Sequence, residues 1–397
     1  MRLVRPELRE PDLPRTAKVR DRALRTGWTT GACAAAAAKA AATVLAGRPA
    51  PRSVEIPLPE PYAGGDGLVA PPGLHAGGRR ATLPVERTAA GAGWAEAVVV
   101  KDAGDDPDCT DGAHLVVRLA PTGDPGIAFH GGAGVGTVTK PGLGLPVGGP
   151  AINGMPREMI AAAVAEVRAP LGLACTISVP GGERMAAKTT NRRLGIVGGI
   201  SILGTTGVVR PFSTASWRAS VVQAVDVMAA GGAATVVLAT GGRTERAAMR
   251  LLPELPEACF VEVGDFTGAA LARAAERAIP RGVFVGMAGK LTKLAAGVMM
   301  THYTRSKVDL SLLACLTADA GGGAELAGAV ERANTGRHAY ELWRDAGLAG
   351  PVGDLLCERV AANLTRFTGG RVICDAVLVD FDTLEPVAAS AGWRAQP

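Results

Sequence analysis

The sequence has few aromatic residues and no long apolar segment. Aromatic residues make up 4% of the 397 residues, and no apolar run reaches the roughly 18 residues that a membrane span needs. Residues 1–22 are basic and contain proline, but they lack the apolar stretch of a secretory signal. We therefore expect a cytoplasmic protein that does not contact a membrane, with residues 1–22 as a disordered extension.

Clustered metal ligands are also missing from the sequence. The seven cysteines and five histidines are scattered along the chain, and no two cysteines form a C-x-x-C pair. This spacing excludes the usual zinc and iron motifs, and a disulfide framework is not expected in a chain of this length. We predict no metal site built by the protein itself, so any metal would arrive with a ligand.

The charge of the chain is close to balanced. The formal net charge is +5, and residues 1–22 hold seven basic and four acidic residues, which accounts for most of the excess. A protein that binds nucleic acid would carry a basic stripe or patch on its folded surface. The sequence shows no such stripe, so a nucleic-acid partner is not expected.

Glycine, alanine and valine are abundant in the sequence, and the chain divides into two regions with different patterns of predicted strands and helices. We predict an α+β domain over residues 23–190, which opens with the alanine-rich helix Ala32–Leu45. Over residues 191–385 we predict a Rossmann-like, three-layer α/β domain with a mainly parallel sheet. This prediction rests on a repeated alternation of a β-like run, a glycine-bearing turn and a helix.

The turns of the second region are candidate cofactor-binding segments. The predicted strands are Ile196–Leu203, Thr235–Ala239, Cys259–Val263 and Gly282–Val285. Ligands of open α/β sheets bind beyond the carboxyl ends of the strands, where glycine allows close approach of the backbone. The predicted cofactor-binding residues in these turns are Gly204, Thr205, Thr206, Gly241, Gly242, Arg243, Gly264, Asp265, Gly286 and Gly289.

Three segments of the first region carry residues that suit ligand binding. Arg25–Gly31 precedes the alanine-rich helix, so its threonines either help to bind an anion or simply cap the helix. Lys101–Asp108 gathers acidic residues that could hold a cation or accept a proton, or that could form a solvated loop. Gly131–Gly136 resembles phosphate-binding loops, although it matches neither standard glycine spacing.

The candidate catalytic residues are two aspartates and one histidine. Asp102 and Asp105 lie in the acidic segment, and His302 follows the helix that begins after the last glycine-rich turn. Each side chain could accept a proton near neutral pH if its surroundings adjust its pKa. A structural role remains the alternative for each of them.

Several longer motifs occur together and in order along the chain. They are RTGWTTGACAAAAAKAA from Arg25, KDAGDDPDCTDGA from Lys101, GGAGVGTVTKPGLGLPVGGPAIN from Gly131, PGGERMAAKTTNRRLGIVGGISILGTTGVVRPFS from Pro180 and GKLTKLAAGVMMTHYTRS from Gly289. In these motifs the chain resembles the cobalt-precorrin-5B C-1 methyltransferases, the CbiD-type family of anaerobic cobalamin biosynthesis.

The resemblance implies methyl transfer from S-adenosylmethionine to carbon C-1 of a cobalt-containing corrinoid, with cobalt present only as part of the substrate. The macrocycle carries many carboxylates, which suit arginine, lysine and helix N-termini. The candidate substrate-binding residues are Arg25, Thr29, Thr30, Gly31, Asp106, Gly132, Gly134, Lys140, Lys188, Arg192 and Lys290. Whether the chain forms a homodimer is left open.

Two other functions compete with methyl transfer. The first is a small-molecule kinase that binds ATP with Gly131–Gly136 as a loop over the phosphates and with the helix start at Thr29, Thr30 and Gly31. The second is a carrier that binds a corrinoid without catalysing a reaction. A methyltransferase should bind S-adenosylhomocysteine without magnesium, a kinase should bind ATP with magnesium, and a carrier should bind neither.

Overall fold

A computed structural model describes residues 23–60, 68–167, 172–302 and 307–394. The described chain divides between Ser213 and Thr214 into two compact units, which we call the N-terminal unit and the C-terminal unit. The predicted extension, residues 1–22, lies outside the described residues. The boundary falls after the predicted one because residues 191–213 supply short strands that pair with strands near Trp28 and Val135.

The N-terminal unit combines thirteen strands with three helices within its described residues. The strands are β1 (Gly27–Trp28), β2 (Ser53–Pro57), β3 (Arg80–Pro84), β4 (Arg87–Gly91), β5 (Trp94–Val100), β6 (His114–Pro121), β7 (Gly126–Gly131), β8 (Gly134–Val135), β9 (Thr137–Val138), β10 (Gly172–Ser178), β11 (Ile196–Val197), β12 (Gly199–Ile200) and β13 (Val208–Val209). The helices are α1 (Thr30–Leu45), α2 (Gly154–Ala165) and α3 (Gly182–Ala186).

The core of the N-terminal unit lies between helix α1 and a five-stranded sheet. The strand order is β4-β5-β6-β10-β7, and every pair is antiparallel except β10 with β7. Helix α1 packs against β5, β6 and α2. The seven residues from Ala32 to Ala38, six alanines and Cys33, are fully buried, because their small side chains let the helix approach its neighbours closely.

The C-terminal unit contains five strands and nine helices in its described residues. The strands are β14 (Thr235–Ala239), β15 (Phe260–Glu262), β16 (Arg281–Gly286), β17 (Ile373–Val379) and β18 (Pro386–Ala389). The helices are α4 (Thr214–Ala230), α5 (Gly242–Leu251), α6 (Thr267–Glu276), α7 (Ala288–Ala295), α8 (Leu310–Asp319), α9 (Gly323–Glu331), α10 (Gly336–Asp345), α11 (Ala349–Phe367) and α12 (Ala391–Arg394).

The sheet of the C-terminal unit is mainly parallel. Its order is β15-β14-β16-β17-β18, in which the first four strands are parallel and β18 is antiparallel. Successive residues Val236–Ala239 are all buried, so the sheet is covered on both faces at its centre. The predicted mixture of helices and sheets is confirmed. Within the described ranges, no helix is long and apolar enough to cross a membrane.

Candidate functional site

The parallel strands of the C-terminal unit end at one edge of their sheet. The chain passes from β14 to its neighbour β15 and then returns to β16 on the opposite side of β14. The strand order therefore reverses at β14, and open α/β sheets bind ligands beyond the carboxyl ends of the strands at such a point. The turns that follow β14, β15 and β16 carry seven of the ten predicted cofactor-binding residues.

The turn after β14 is open around its glycines. A Cβ atom added to Gly241 would have Glu262 Oε1 as its nearest neighbour, at 3.9 Å, and one added to Gly242 would lie 3.8 Å from Arg246 Nη1. Thr244 Oγ1 accepts the backbone N–H groups of Thr240 at 3.0 Å and Gly241 at 3.2 Å. The Thr244 hydroxyl therefore holds the turn in shape, and the space beside Gly241 and Gly242 is open.

The other predicted glycines at this edge differ in their surroundings. A Cβ on Gly264 would meet Trp217 Nε1 at 2.9 Å, and one on Gly286 would meet the ring of Phe284 at 2.6 Å. A Cβ on Gly289 would meet nothing within 4 Å. Packing against aromatic rings explains Gly264 and Gly286, whereas Gly241, Gly242 and Gly289 border open space.

Glu262 lies beside this turn and was not among the predicted site residues. This residue ends β15, and it pairs in register with Ala239 at the end of β14. Its carboxylate faces the open turn, as the 3.9 Å separation from the Cβ position of Gly241 shows. The signal that could have found it is an acidic residue at the end of the next strand, about 20 residues after the glycine turn.

Asp265, also after β15, anchors the segment that leads to His302. The Lys290 ammonium group contacts Asp265 Oδ1 and donates to Thr301 Oγ1 at 2.9 Å. The Thr301 hydroxyl donates to Asp265 at 3.1 Å, and Lys293 Nζ donates to the Thr301 carbonyl at 2.8 Å. Burial and the charge of Lys290 lower the pKa of Lys293. His302 therefore follows a tightly held residue at the same edge.

A pocket of about 280 Å³ lies beyond the ends of β16 and β17. It is bordered by the first residues of α7 and α10, which meet closely: a Cβ on Gly336 would lie 2.7 Å from Gly289 Cα. Phe381 lines the pocket, and two guanidinium groups lie on its ring, with Arg337 Cζ at 3.8 Å and Arg243 Cζ at 4.8 Å from the centroid. The pocket thus combines an aromatic surface with positive charge.

The position of Phe381 is fixed by the preceding residue. Asp380 accepts the Tyr340 hydroxyl at 2.5 Å and the backbone N–H groups of Asp382 and Thr383, each at 2.8 Å. Burial alone would raise the pKa of Asp380, but these hydrogen bonds together lower it to about 2. Asp380 is therefore ionised at neutral pH and holds the turn that presents Phe381.

Replacing Asp380 with asparagine should make stability less dependent on pH. The folded pKa lies below the ordinary value of 3.8, so the stabilisation is present above about pH 4 and is lost as the pH falls towards about 2. We expect Asp380→Asn to lower the free energy of unfolding by about 2 kcal/mol at neutral pH. In urea unfolding curves, the difference in the free energy of unfolding between the unaltered protein and the variant should become smaller at acidic pH. An equal difference at neutral and at acidic pH would contradict this prediction. Asp382→Asn, at an exposed neighbour, is the matched control.

In the N-terminal unit, Asp102 and Asp105 are both engaged with Arg25. The Arg25 guanidinium donates to both carboxylate oxygens of Asp102, at 2.5 and 2.8 Å, and the Arg25 backbone N–H donates to Asp105 at 2.7 Å. The hydrogen bonds from the guanidinium lower the pKa of Asp102. This arrangement keeps Asp102 ionised and weakens it as a proton acceptor.

The rest of the acidic segment is ordered by hydrogen bonds. The Lys101 side chain is 1% exposed and donates to Asp108 at 2.7 Å. Asp106 accepts the backbone N–H of Phe212 at 2.8 Å, and burial raises its pKa. The segment is therefore a fixed structure and not a solvated loop.

The start of α1 is closed by the chain itself. Thr29 caps the helix by accepting the Ala32 N–H at 3.1 Å, and the Gly31 N–H donates to the Leu203 carbonyl at 3.1 Å. A Cβ on Gly204 would lie 2.5 Å from Thr29 Cβ, and Thr30 is 4% exposed. These contacts match the structural alternative, a helix cap packed against the loop that contains Gly204, Thr205 and Thr206.

The glycine-rich loop is packed closely against neighbouring backbone and side-chain atoms. A Cβ on Gly132 would lie 2.0 Å from Ser178 Oγ, one on Gly134 1.9 Å from the Val179 carbonyl oxygen, and one on Gly136 2.3 Å from Ile196 Cγ2. These glycines leave room for the protein's own atoms. The loop also contains β8 and leads into β9 and not into a helix, so it offers no support for the kinase hypothesis.

The remaining candidates lie on the surface of the N-terminal unit. Lys140 Nζ donates to the Arg193 carbonyl at 3.3 Å, while Lys188 and Arg192 are exposed. Among the described residues, no group of three or more histidine, cysteine or acidic side chains is placed to hold a metal ion.

The predicted site residues are divided between the two units. The C-terminal unit holds Gly241, Gly242, Arg243, Asp265, Gly289, Lys290 and His302, and the N-terminal unit holds the Arg25 and Gly31 segments.

Family models match two parts of the chain. The CbiD model matches residues 17–211, and the model of the CbiD C-terminal domain matches residues 300–389. A solved structure of a cobalamin biosynthesis protein (cbiD) from Archaeoglobus fulgidus is 28% identical and covers 71% of this chain and 83% of that chain. Its TM-score of 0.36 is too low for a comparison of the whole folds.

Curated relatives match the chain from end to end. A cobalt-precorrin-5B C(1)-methyltransferase from Salinispora tropica is 65% identical and covers 98% of both chains. A protein of the same name from Rubrobacter xylanophilus is 63% identical and covers 98% of this chain and 99% of the relative. Because the identity is this high over nearly the full length, the chain belongs to the CbiD family.

Proposed function

We propose that this chain is a cobalt-precorrin-5B C(1)-methyltransferase. The observation that carries the proposal is the identity of 65% to a relative of that name across 98% of both chains. The reaction would transfer a methyl group from S-adenosylmethionine to carbon C-1 of the corrinoid in cobalamin biosynthesis. Cobalt would enter as part of the substrate, and the product would be cobalt-precorrin-6A. Such an enzyme would act in the cytoplasm on a small-molecule corrinoid.

We propose that the methyl donor binds at the carboxyl edge of β14, β15 and β16. The C-terminal unit would then bind its ligand as Rossmann-like domains do. The open turn at Gly241 and Gly242 supports this placement, because a ligand can approach the backbone there without displacing a side chain. The two guanidinium groups beside Phe381 are suited to carboxylates of the donor or the corrinoid. The N-terminal unit would contribute residues that bind the macrocycle.

The chain's own contribution to the reaction is mainly alignment. A bound sulfonium donor supplies an electrophilic methyl group and leaves as a neutral thioether. Holding the two reacting carbons in line and excluding water can contribute about 7–11 kcal/mol to such a displacement. The rigid turn held by Thr244 and the anchored segment around Thr301 would provide that alignment.

One side chain would accept any proton that the acceptor carbon releases. Asp102 is the least suited of the three candidates, because its pKa is lowered and both oxygens accept hydrogen bonds from Arg25. Asp105 accepts the Arg25 backbone N–H. We favour His302, which lies in the same unit as the proposed donor site and follows the fixed residue Thr301.

Calorimetric titration with S-adenosylhomocysteine tests the donor site, with ATP and magnesium as the control. Saturable binding of S-adenosylhomocysteine alone is the expected result. Binding of ATP alone would overturn the proposal in favour of a kinase. Binding of neither compound by the free protein would favour a corrinoid carrier.

A further inference from the structure

Lys293, in helix α7, is a buried cation that forms no salt bridge with any described residue. Only 7% of the residue is exposed, and its ammonium group donates to the Thr301 carbonyl at 2.8 Å. The carboxylate of Asp265 is contacted by Lys290, one turn earlier in the helix. Burial and the charge of Lys290 lower the pKa of Lys293, so folding works against its charge.

The other buried lysine of the described chain has a carboxylate partner. Lys101 is 2% exposed, and its ammonium group lies 2.7 Å from Asp108 Oδ2. Buried charges in proteins are ordinarily paired in this way, because an unpaired charge away from water is costly. Lys293 departs from this rule, which indicates that its counter-charge comes from a bound molecule.

The pocket that Lys293 lines is suited to an anion. Three basic residues and no acidic residue are among the described residues around its volume of about 280 Å³: Lys290, Lys293 and Arg337. Helices α7 and α10 both begin there, and a Cβ on Gly336 would lie only 2.7 Å from Gly289 Cα. The first N–H groups of a helix have no acceptor within it and carry about half a positive charge together. A buried ammonium group and two helix starts therefore meet at one cavity.

We propose that this pocket binds a carboxylate group of one of the two reactants, and that Lys293 provides the ammonium group that pairs with it. The assignment rests on the proposed function, in which the methyl donor and the corrinoid both carry carboxylates. The bound carboxylate accepts hydrogen bonds from Lys293 and from N–H groups at the helix starts. The buried charge is then paired only in the complex, and it lowers the stability of the ligand-free protein.

Thermal unfolding of Lys293→Met distinguishes this role from a structural one. Methionine keeps an unbranched apolar side chain and removes the charge. We expect the unfolding midpoint of the ligand-free protein to rise by about 2 °C or more, because an unpaired buried charge is lost. Lys101→Met should instead lower the midpoint, because Asp108 loses its cation. A lower midpoint for Lys293→Met would show that Lys293 serves the fold by holding Thr301, and would overturn the assignment.

Calorimetric titration identifies which reactant supplies the carboxylate. S-adenosylhomocysteine, its decarboxylated analogue and cobyrinic acid, a corrin with free carboxylates, are titrated into the full-length protein and into Lys293→Met. If the donor supplies the group, the substitution weakens S-adenosylhomocysteine about 10- to 100-fold and the decarboxylated analogue less than about 2-fold. If the corrinoid supplies it, cobyrinic acid is weakened by that factor and S-adenosylhomocysteine is unchanged.

The matched control is Lys307→Met, which removes the same charge from an exposed position of the same unit. Its affinities should stay within about 2-fold of those of the unaltered protein, because exposed charges contribute little. Equal affinities of Lys293→Met and the unaltered protein for S-adenosylhomocysteine and for cobyrinic acid would overturn the assignment and leave the proposed function standing. If the unaltered protein binds none of the three ligands, the proposed function fails, and the assignment fails with it.

Discussion

The substitution Gly134→Ala is expected to destabilise the N-terminal unit by about 3 kcal/mol or more. Gly134 has a φ of +76°, and the new Cβ would lie 1.9 Å from the Val179 carbonyl oxygen. That oxygen cannot move away easily, because it accepts the Gly182 N–H at 2.8 Å. Both the backbone angle and the collision oppose the substitution, so we expect a large loss of stability or no folded protein.

A second glycine separates the two causes. Gly144 has a φ of +67°, but a Cβ there would meet nothing within 4 Å. Gly144→Ala should therefore lose only the backbone contribution, about 1–2 kcal/mol. Urea unfolding of the two variants measures the difference. Similar losses for both would show that the packing around Gly134 is looser than the structure indicates.

The substitution Gly241→Leu is expected to leave the fold intact and to lower the rate of methyl transfer about 100-fold or more. The φ of Gly241 is 173°, an extended conformation open to any residue, and a Cβ has no neighbour closer than 3.9 Å. The side chain would instead fill the space proposed for the donor. Displacing a reacting group by about 1 Å can already cost about 100-fold in rate.

The control for this substitution is Gly350→Leu in helix α11. A Cβ there would also have its nearest neighbour at 3.9 Å, the Val387 carbonyl oxygen of β18, and β16 and β17 separate β18 from β14 in the sheet. It should retain methyl transfer and thermal stability. Unchanged activity in Gly241→Leu, measured beside this control, would place the donor elsewhere.

The regular parts of the fold could be predicted from the sequence. The strand Thr235–Ala239 has the bounds predicted for it, because a short run of apolar residues is followed at once by Thr240, Gly241 and Gly242. The strand predicted over residues 196–203 is wrong in extent. The structure has only two short strands there, Ile196–Val197 and Gly199–Ile200, because Gly198 adopts a φ of +82° between them.

The candidate site was harder to predict, because identical residues serve different purposes. Gly134 and Gly241 both lie in glycine-rich turns, yet the first makes room for the protein's own backbone and the second borders open space. Only the positions of neighbouring strands distinguish them. The sequence likewise does not show that Glu262 pairs with Ala239, because that pairing depends on the order of the strands in the sheet.

Methyl transfer to carbon C-1 can be measured directly in a turnover assay with S-adenosylmethionine carrying a labelled methyl group. The purified protein is incubated with cobalt-precorrin-5B, and the corrinoid is then analysed by mass spectrometry and NMR. We expect one labelled methyl group on carbon C-1 and an equal amount of S-adenosylhomocysteine. An unlabelled corrinoid, or a label on another carbon, with protein that is folded and binds the donor would contradict it.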